Sequence, residues 1–333
     1  MWYGQPIPSR DQIDVGGILK LQHLSALYPD EPRAFNVLYL VSSRLPEGAE
    51  ALAYWAQKKG ARLVLNQNGV AYPAWYGPDW ASVNAPMRAL LARADHVFYQ
   101  SEFCRISADK FAGPARGNHE VLHNAVDTQA FTPTHASRSG ELTLLLGGSQ
   151  DQWYRFDAAV RALRFVIDAG VNARLLITGR LRWHGDADRT RQDANALIDG
   201  LKLRDHVELT GPYSQSQAPG LFRRAQILVH TKYNDPCPAV VLEALATGLP
   251  VVYSASGGVP ELVGASAGIG IPAELSWDRD IPPDPAAVAR GVIDLSRDLI
   301  GRSQAARQRA VERFDVRDWL SRHRAVFEQL AAA

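Results

Sequence analysis

The sequence is poor in the residues that build disulfide or metal frameworks. Its 333 residues include two cysteines, Cys104 and Cys237, far apart and outside any metal-ligand spacing. Free thiols, a reducing compartment and hence a cytoplasmic location are the expectation. His119 and His123 flank a strand candidate with no carboxylate or cysteine at ligand spacing, so no metal site is expected. No run approaches the roughly 18 apolar residues of a membrane span, although peripheral membrane contact stays open. The first residues, Met1 to Pro6, show no basic segment leading into an apolar one, so no signal peptide is expected. An excess of charge of one sign is absent as well. Residues 1–135 carry 12 Lys+Arg and 12 Asp+Glu, residues 136–333 carry 24 and 23, and the net charge is +1. Neither half therefore offers the basic field that nucleic acid needs. The basic stretch Arg302, Arg307, Arg309, Arg313 reads as a solvated helix face. A Gly-x-Ser-x-Gly elbow, a Walker loop and a His-Glu-x-x-His helix are all missing.

What is present suits two globular domains of roughly 150 residues each. Short apolar, β-branched runs at 36–41, 62–66, 96–100 and 119–123 alternate with helical patterns at 47–59, 82–94 and 102–111. The plan then repeats: strands at 142–146, 174–178, 207–210, 227–230 and 250–254, helices at 157–169, 217–225 and 239–247, and three closing helices from 285 onward. Such alternation predicts an α/β protein with two doubly wound parallel sheets. The polar stretch 133–140 is the linker candidate, giving domains at 1–134 and 140–315, with a final helix at 316–333 that packs back on the first domain. Gly16-Gly17 opens a helical stretch, yet residues 8–15 before it are too polar for a buried strand. Either residues 2–7 supply an irregular strand, or the native start lies upstream.

The segment from Asn234 to Val252 carries the chemistry. Pro238 suits the first turn of a helix, and Gly248 with Pro250 suits its end. The helix between them is almost wholly apolar, and Glu243 is its only charge. A buried carboxylate must be paired, protonated or bound to a ligand. The helix start offers free N–H groups and a positive dipole end, which suits a diphosphate. Beyond the following strand, Gly257-Gly258 permits close backbone approach where open α/β sheets bind ligands.

Asp235, seven residues, then Glu243, followed by Ala-x-Ala-x-Gly-x-Pro-Val-Val and Gly-Gly-Val-Pro-Glu, resembles the E-x7-E signature of the retaining GT4 glycosyltransferases. Ser101-Glu102-Phe103, His123-Asn124-Ala125-Val126-Asp127 with Phe131, and Gly179 fall in the order of that family's landmarks, and the resemblance covers roughly residues 16–330. It implies a GT-B fold, two Rossmann-like domains facing across a cleft. It also implies transfer of a sugar from a nucleoside-diphosphate sugar to an acceptor hydroxyl with retention of configuration. No cofactor and no metal are implied, and a UDP- or GDP-linked donor is expected. The acceptor would be a glycan, a lipid-linked molecule or a small molecule. Glu243 would bond the donor ribose, and Asp235 would lie near the reacting centre. Cys237, Ala239 and Val240 would present backbone amides to the donor beside Pro238, and Gly16-Gly17 would approach its phosphate. Asn68-Gly69 would lie near the acceptor, with Trp75 and Tyr76 as an aromatic surface for it.

Two departures stand out. The first glutamate is shortened to Asp235, and the loop Gly147-Gly148-Ser149-Gln150-Asp151-Gln152-Trp153-Tyr154-Arg155 lacks the family's Arg and Lys at positions near Ser149 and Tyr154. Arg155, one residue displaced, and Lys232 are the replacement cations. Each candidate also has an ordinary structural use: a helix ion pair for Glu243, an Asn-Asp-Pro turn for Asp235, loop packing for the aromatics. The rivals to a transferase are a nucleotide-sugar epimerase or phosphorylase on the same architecture, and an inert homologue that binds a nucleotide sugar or glycan.

Overall fold

The computed structural model describes residues 1–12, 17–134 and 140–332. Gly16, and positions 135–139 of the linker candidate, lie outside the described residues. The first half runs through α1 (Gly17–Ser25), β1 (Val37–Val41), α2 (Ala49–Lys58), β2 (Arg62–Gln67), α3 (Pro73–Tyr76), α4 (Trp80–Val83), α5 (Ala85–Leu91), β3 (His96–Tyr99), α6 (Glu102–Phe111) and β4 (Asn118–Val121). The second half opens with β5 (Leu142–Leu146), α7 (Trp153–Asp168), β6 (Ala173–Thr178), α8 (Ala187–Gly200), β7 (Val207–Gly211), α9 (Ala218–Phe222) and β8 (Ile227–His230). It continues with α10 (Ala239–Ala246), β9 (Val251–Ala255), α11 (Val259–Val263), β10 (Gly268–Pro272), α12 (Pro285–Arg297), α13 (Leu299–Arg313) and α14 (Val316–Ala332).

The strands form two parallel sheets, ordered β1-β2-β3-β4 and β10-β9-β8-β5-β6-β7. Crossover helices cover both faces of each sheet, which is why strands carry continuous buried runs rather than an alternating pattern. Every residue of β1, Val-Leu-Tyr-Leu-Val, is buried. Two apolar clusters sandwich the first sheet and two the second. The α/β architecture with two parallel sheets is as the sequence predicts.

Several boundaries differ for local reasons. Only Trp2 of the expected 2–7 strand pairs with the sheet: its N–H donates to Val37 O (3.0 Å) and its carbonyl accepts from Tyr39 N–H (2.9 Å). The ladder stops at Gly4, whose φ of 71° turns the chain out of the extended conformation. The helix expected at 82–94 breaks at Asn84, whose side chain bonds both the N–H and the C=O of Ala71. Pro238 is the N-cap of α10, in extended conformation, rather than a member of its first turn. Arg307 and Arg309 of α13 are a clear correction, while Arg313 is exposed as expected. Arg307 donates to Phe131 O, Thr128 O and Ala246 O, and Arg309 to Leu262 O and Glu261 O. A guanidinium carries five donors on a long stem, so these side chains satisfy loop and helix-end carbonyls instead of facing solvent alone.

Two chain crossings join the halves. Val126 N–H donates to Phe314 O and Val316 N–H to Val126 O, so both crossings run side by side. Beyond them α14 lies on the first sheet, burying Trp319, Val326 and Phe327 with Tyr39, Val64 and Phe98. On the opposite flank, Glu261 from α11 accepts from the free amides of Glu102 and Phe103 at the start of α6 (2.8 and 3.0 Å), and His123 Nε2 lies 3.1 Å from the same carboxylate.

Candidate active site at the switch point of the second sheet

In the second sheet the strand order reverses at β5, which has β6 on one side and β8 on the other. The carboxyl ends of parallel strands diverge at such a point and leave a crevice. A cavity of about 270 Å³ lies there, between the loops of the second sheet and Gln12, Ile18, Leu19 and Gln22 of the first half. Its floor is Gly147-Gly148 after β5 and Ala239-Val240 at the start of α10. A Cβ at Gly147 would overlap Val240 Cγ2, so glycine is what lets the strand end reach the helix start.

Two buried ionic groups, Arg155 and Asp235, converge on this floor together with His230 and Lys232. Arg155, in the first turn of α7, is only 6% exposed. Its Nη1 donates to Ser149 O at 2.9 Å, while its Nε has no partner among the described residues. Burial pulls its pKa down, and Asp235 pulls it back. Asp235 follows β8 and accepts from His230 Nε2 at 3.1 Å on one oxygen, with Lys232 Nζ at 3.3 Å from the other. Burial favours the neutral acid, but Lys232, the His230 bond and Arg155 together outweigh it, holding the carboxyl well below its usual range. His230 is pushed down by burial in turn, against the pull of Asp235. Asp235 is therefore a buried carboxylate clamped by one imidazole and one ammonium.

Glu243, further along α10, lines the same cavity in a different environment. Its Oε1 accepts a 2.9 Å bond from Gln215 Nε2, and among the described residues no cation compensates it, so burial raises its pKa to about 7. Two carboxylates eight residues apart are thus driven in opposite directions. A group poised in this way can accept from a pair of ligand hydroxyls and lose its desolvation penalty to those bonds.

The structure brings together Gly147, Gly148, Arg155, Lys232, Asp235, Ala239, Val240 and Glu243 around one cavity. Cys237 and Pro238 lie behind it: the Cys237 carbonyl accepts from Asn124 Nδ2 at 2.8 Å. Gly17 packs against the turn after β1, where a Cβ would meet Ser43 Oγ at 2.6 Å. Asn68 is buried away from the cavity, receiving bonds from Lys20 Nζ (2.6 Å) and donating to Ser43 Oγ. A Cβ on Gly69 would meet Pro236 Cγ at 3.1 Å, which puts that loop against the turn bearing Asp235. Trp75 and Tyr76 are among the exposed large apolar side chains, and Lys232 Nζ stands 5.8 Å from the Trp75 ring centre. Sequence reasoning missed His230, Tyr213 and Gln215, all of which line the cavity. A histidine ending a buried strand five residues before Asp235 was the available signal for the first; nothing in the sequence marked the other two. Among the described residues, no group of three or more His, Cys, Asp or Glu is placed to hold a metal ion, and no helix is long and apolar enough to cross a membrane.

Similarity to known proteins follows the same outline. A D-inositol 3-phosphate glycosyltransferase of Mycolicibacterium smegmatis is 28% identical over 189 residues, which are 54% of this chain and 43% of that protein. Glycogen synthase of Mycobacterium tuberculosis is 26% identical over 238 residues, 70% of this chain and 54% of that one. The chain thus spans about half the length of the curated relatives it matches. Among solved structures, Anabaena HepE in complex with UDP and glucose superposes with a TM-score of 0.69 at 18% identity, covering 100% of this chain and 85% of that one, and so shares the two-domain GT-B fold. Residues 127–299, just over half the chain and including the whole of the β5, β8 and α10 constellation, match the family described as glycosyl transferases group 1. With that match and that fold together, the chain belongs to the glycosyl transferases group 1 family.

Proposed function

We propose that the chain transfers a sugar from a nucleoside-diphosphate sugar to an acceptor hydroxyl, with retention of anomeric configuration and without a metal or other cofactor. The observation that carries this reading is the meeting, around one cavity, of a buried Arg155 whose Nε has no partner among the described residues, Lys232, the first turn of α10 and Glu243. Cations and free helix amides suit a diphosphate; a lone acceptor carboxylate suits vicinal hydroxyls.

In this arrangement the donor diphosphate lies over Gly147-Gly148 and the start of α10, and its ribose reaches Glu243. The bond between the anomeric carbon and the phosphate oxygen breaks, and the electron pair stays on the nucleoside diphosphate. The acceptor oxygen attacks from the same face and its proton passes to a leaving-group oxygen. Arg155 and Lys232 stabilise the charge that grows on the diphosphate, an interaction stronger in the transition state than in the ground state. Asp235, kept ionised by His230 and Lys232, faces the positive charge that develops at the anomeric carbon. The acceptor enters past Trp75 and Tyr76, and a glycan, a lipid-linked molecule or a small molecule would each fit that approach. A UDP- or GDP-linked sugar is the proposed donor, and a cytoplasmic location would supply it; the HepE complex with UDP and glucose supports the nucleotide-sugar class.

The test is release of nucleoside diphosphate from a panel of UDP- and GDP-sugars, with and without pooled acceptors. Release from one donor, with product of retained configuration by NMR, is the expected result. Tight nucleotide binding with no release from any donor would replace this reading with that of an inert binder.

A further inference from the structure

Lys20 is the one buried lysine of the described residues. It projects from α1 beneath the carboxyl ends of β2 and β3 and is 4% exposed. Its ammonium donates to Asn66 Oδ1 (2.5 Å), Asn68 Oδ1 (2.6 Å) and Gln100 Oε1 (2.9 Å). Among the described residues no carboxylate compensates it, and burial pushes it down to about 8. A buried cation satisfied only by carboxamides costs more than an apolar side chain of the same length would, so its presence calls for a use.

The use lies in the direction of the bonds. An ammonium only donates, so each carboxamide around it must present oxygen. Gln100 Oε1 has a second lone pair, and Asn124 Nδ2 donates to it at 2.9 Å. The other hydrogen of that same amide goes to Cys237 O, at 2.8 Å. Cys237 closes the turn that begins at Asn234, a non-glycine residue at φ +50°, and bears Asp235. The relay therefore runs from α1 of the first half to the turn of the second: ammonium, Gln100 oxygen, Asn124 amide, Cys237 carbonyl. Without the ammonium, Gln100 is free to turn its NH₂ toward Asn124, two donors then face each other, and Asn124 loses the orientation that holds Cys237.

We infer that Lys20 is a positioning residue that sets the orientation of Gln100 and Asn124 and thereby holds the Asp235 turn in register with the first half of the molecule. This rests on the reading of Asp235 as part of a sugar-transfer site. The experiment compares Lys20→Met, Asn124→Leu and the double variant with the full-length wild type. Amide hydrogen exchange over residues 234–238, measured without any donor, should rise by the same factor, on the order of tenfold, in all three. Turnover of the donor found above should fall on the order of 10- to 100-fold, the scale of a displaced reacting group. The double variant should be no worse than either single one, because both break one relay. Affinity for the nucleoside diphosphate alone should stay within about threefold, since its contacts lie in the second half. Multiplicative losses in the double variant, or unchanged exchange in Lys20→Met, would overturn the proposal. Should Lys20→Met fail to fold, Gln100→Leu, which cuts the link between the ammonium and Asn124 while leaving Asn124 and Cys237 intact, decides through exchange of the turn, and unchanged exchange there would overturn the relay. A wild type that turns over no donor would sink the functional reading, and the exchange arm would still test the relay.

Discussion

At the scale of single residues, the two acidic groups of the cavity make opposite demands. Glu243 is held near 7 by burial, above its ordinary value of 4.5. Between those pH values the folded chain keeps a proton that the unfolded chain has lost, so the group's contribution to stability is fully present below 4.5 and is lost as pH rises through 7. The loss amounts to roughly 3 kcal/mol. Glu243→Gln should accordingly be more stable than the wild type at pH 8, with the gap closing toward pH 4.5, while nucleotide affinity falls about tenfold or more. Urea melts at both pH values with calorimetry of nucleotide binding check this; parallel pH curves for the two proteins would show that Glu243 carries no such penalty. Arg155 gives a complementary prediction. Arg155→Ala should lower turnover by roughly 10²-fold or more and weaken ground-state donor binding much less, because the lost contact strengthens as the diphosphate departs. Equal losses in turnover and binding would move the phosphate contact to Lys232 and the start of α10.

At the scale of elements, α14 shows how a terminal helix is tied to a distant sheet. His323 Nε2 lies 3.0 Å from Tyr39 Oη and its Nδ1 lies 2.9 Å from Trp319 O, in a wholly buried position. Burial pushes it down to about 3, against 6.5 for an exposed histidine. Here the unfolded chain gains the proton first, so stability present above 6.5 drains away as pH falls toward 3. His323→Phe keeps a ring against Phe98 and Trp319 but cannot titrate. Its acid limb should be shallower than that of the wild type by up to about 1.4 kcal/mol per pH unit, read from urea melts between pH 4 and 6.5. Identical slopes would mean that α14 detaches before the histidine titrates. A second tie, Glu261, acts across the halves as a cap on α6. Glu261→Ala should cost about 1–2 kcal/mol, the usual worth of a helix cap, and the comparison with Glu261→Gln separates charge from hydrogen bonding.

At the scale of the whole molecule, the two halves are held together by more than the paired crossings at Val126 and Val316. The segment between β10 and α12 crosses the Asp235 turn, where Tyr233 Oη and Asn234 Nδ2 bond its carbonyls, and then reaches the first half. There Trp277 stacks on Phe103 at 5.3 Å, meets Tyr72 and Phe111 edge-on, and its carbonyl accepts from Ala74 N–H. Trp277→Ala should loosen the contact between the halves, increasing the radius of gyration in solution scattering and raising the acceptor KM more than the donor KM. An unchanged scattering curve would show that the crossings and Glu261 suffice. Turnover should also survive EDTA if, as proposed, diphosphate charge is met by Arg155, Lys232 and helix amides; loss on chelation with recovery on added Mg²⁺ or Mn²⁺ would refute this.

Reading the chain alone is enough to establish the alternation of apolar strands and amphipathic helices, and from it two parallel sheets, because burial on both faces leaves a run of apolar residues that sequence displays directly. The segment from Asp235 to Glu243 was legible for the same reason: one charge in an apolar helix is conspicuous. Gly147 and Arg155 could be named from their loop, but whether Arg155 faces solvent or the cavity could not, since a helix start has both sides. Other features existed only once the sheets were assembled. Strand order put β8 beside β5, and so set His230 and Arg155 about the same carboxylate. The pairings Lys20 with Gln100, Glu261 with the start of α6, and Tyr39 with His323 join residues 80, 158 or 159, and 284 positions apart. No local periodicity encodes such contacts, because their energies come from desolvation and from the geometry of two sheets meeting. Composition and spacing decided which residues can be buried and where helices start; the packing of the halves decided which of the buried groups are charged, which are neutral, and which one the turn at Asp235 depends on.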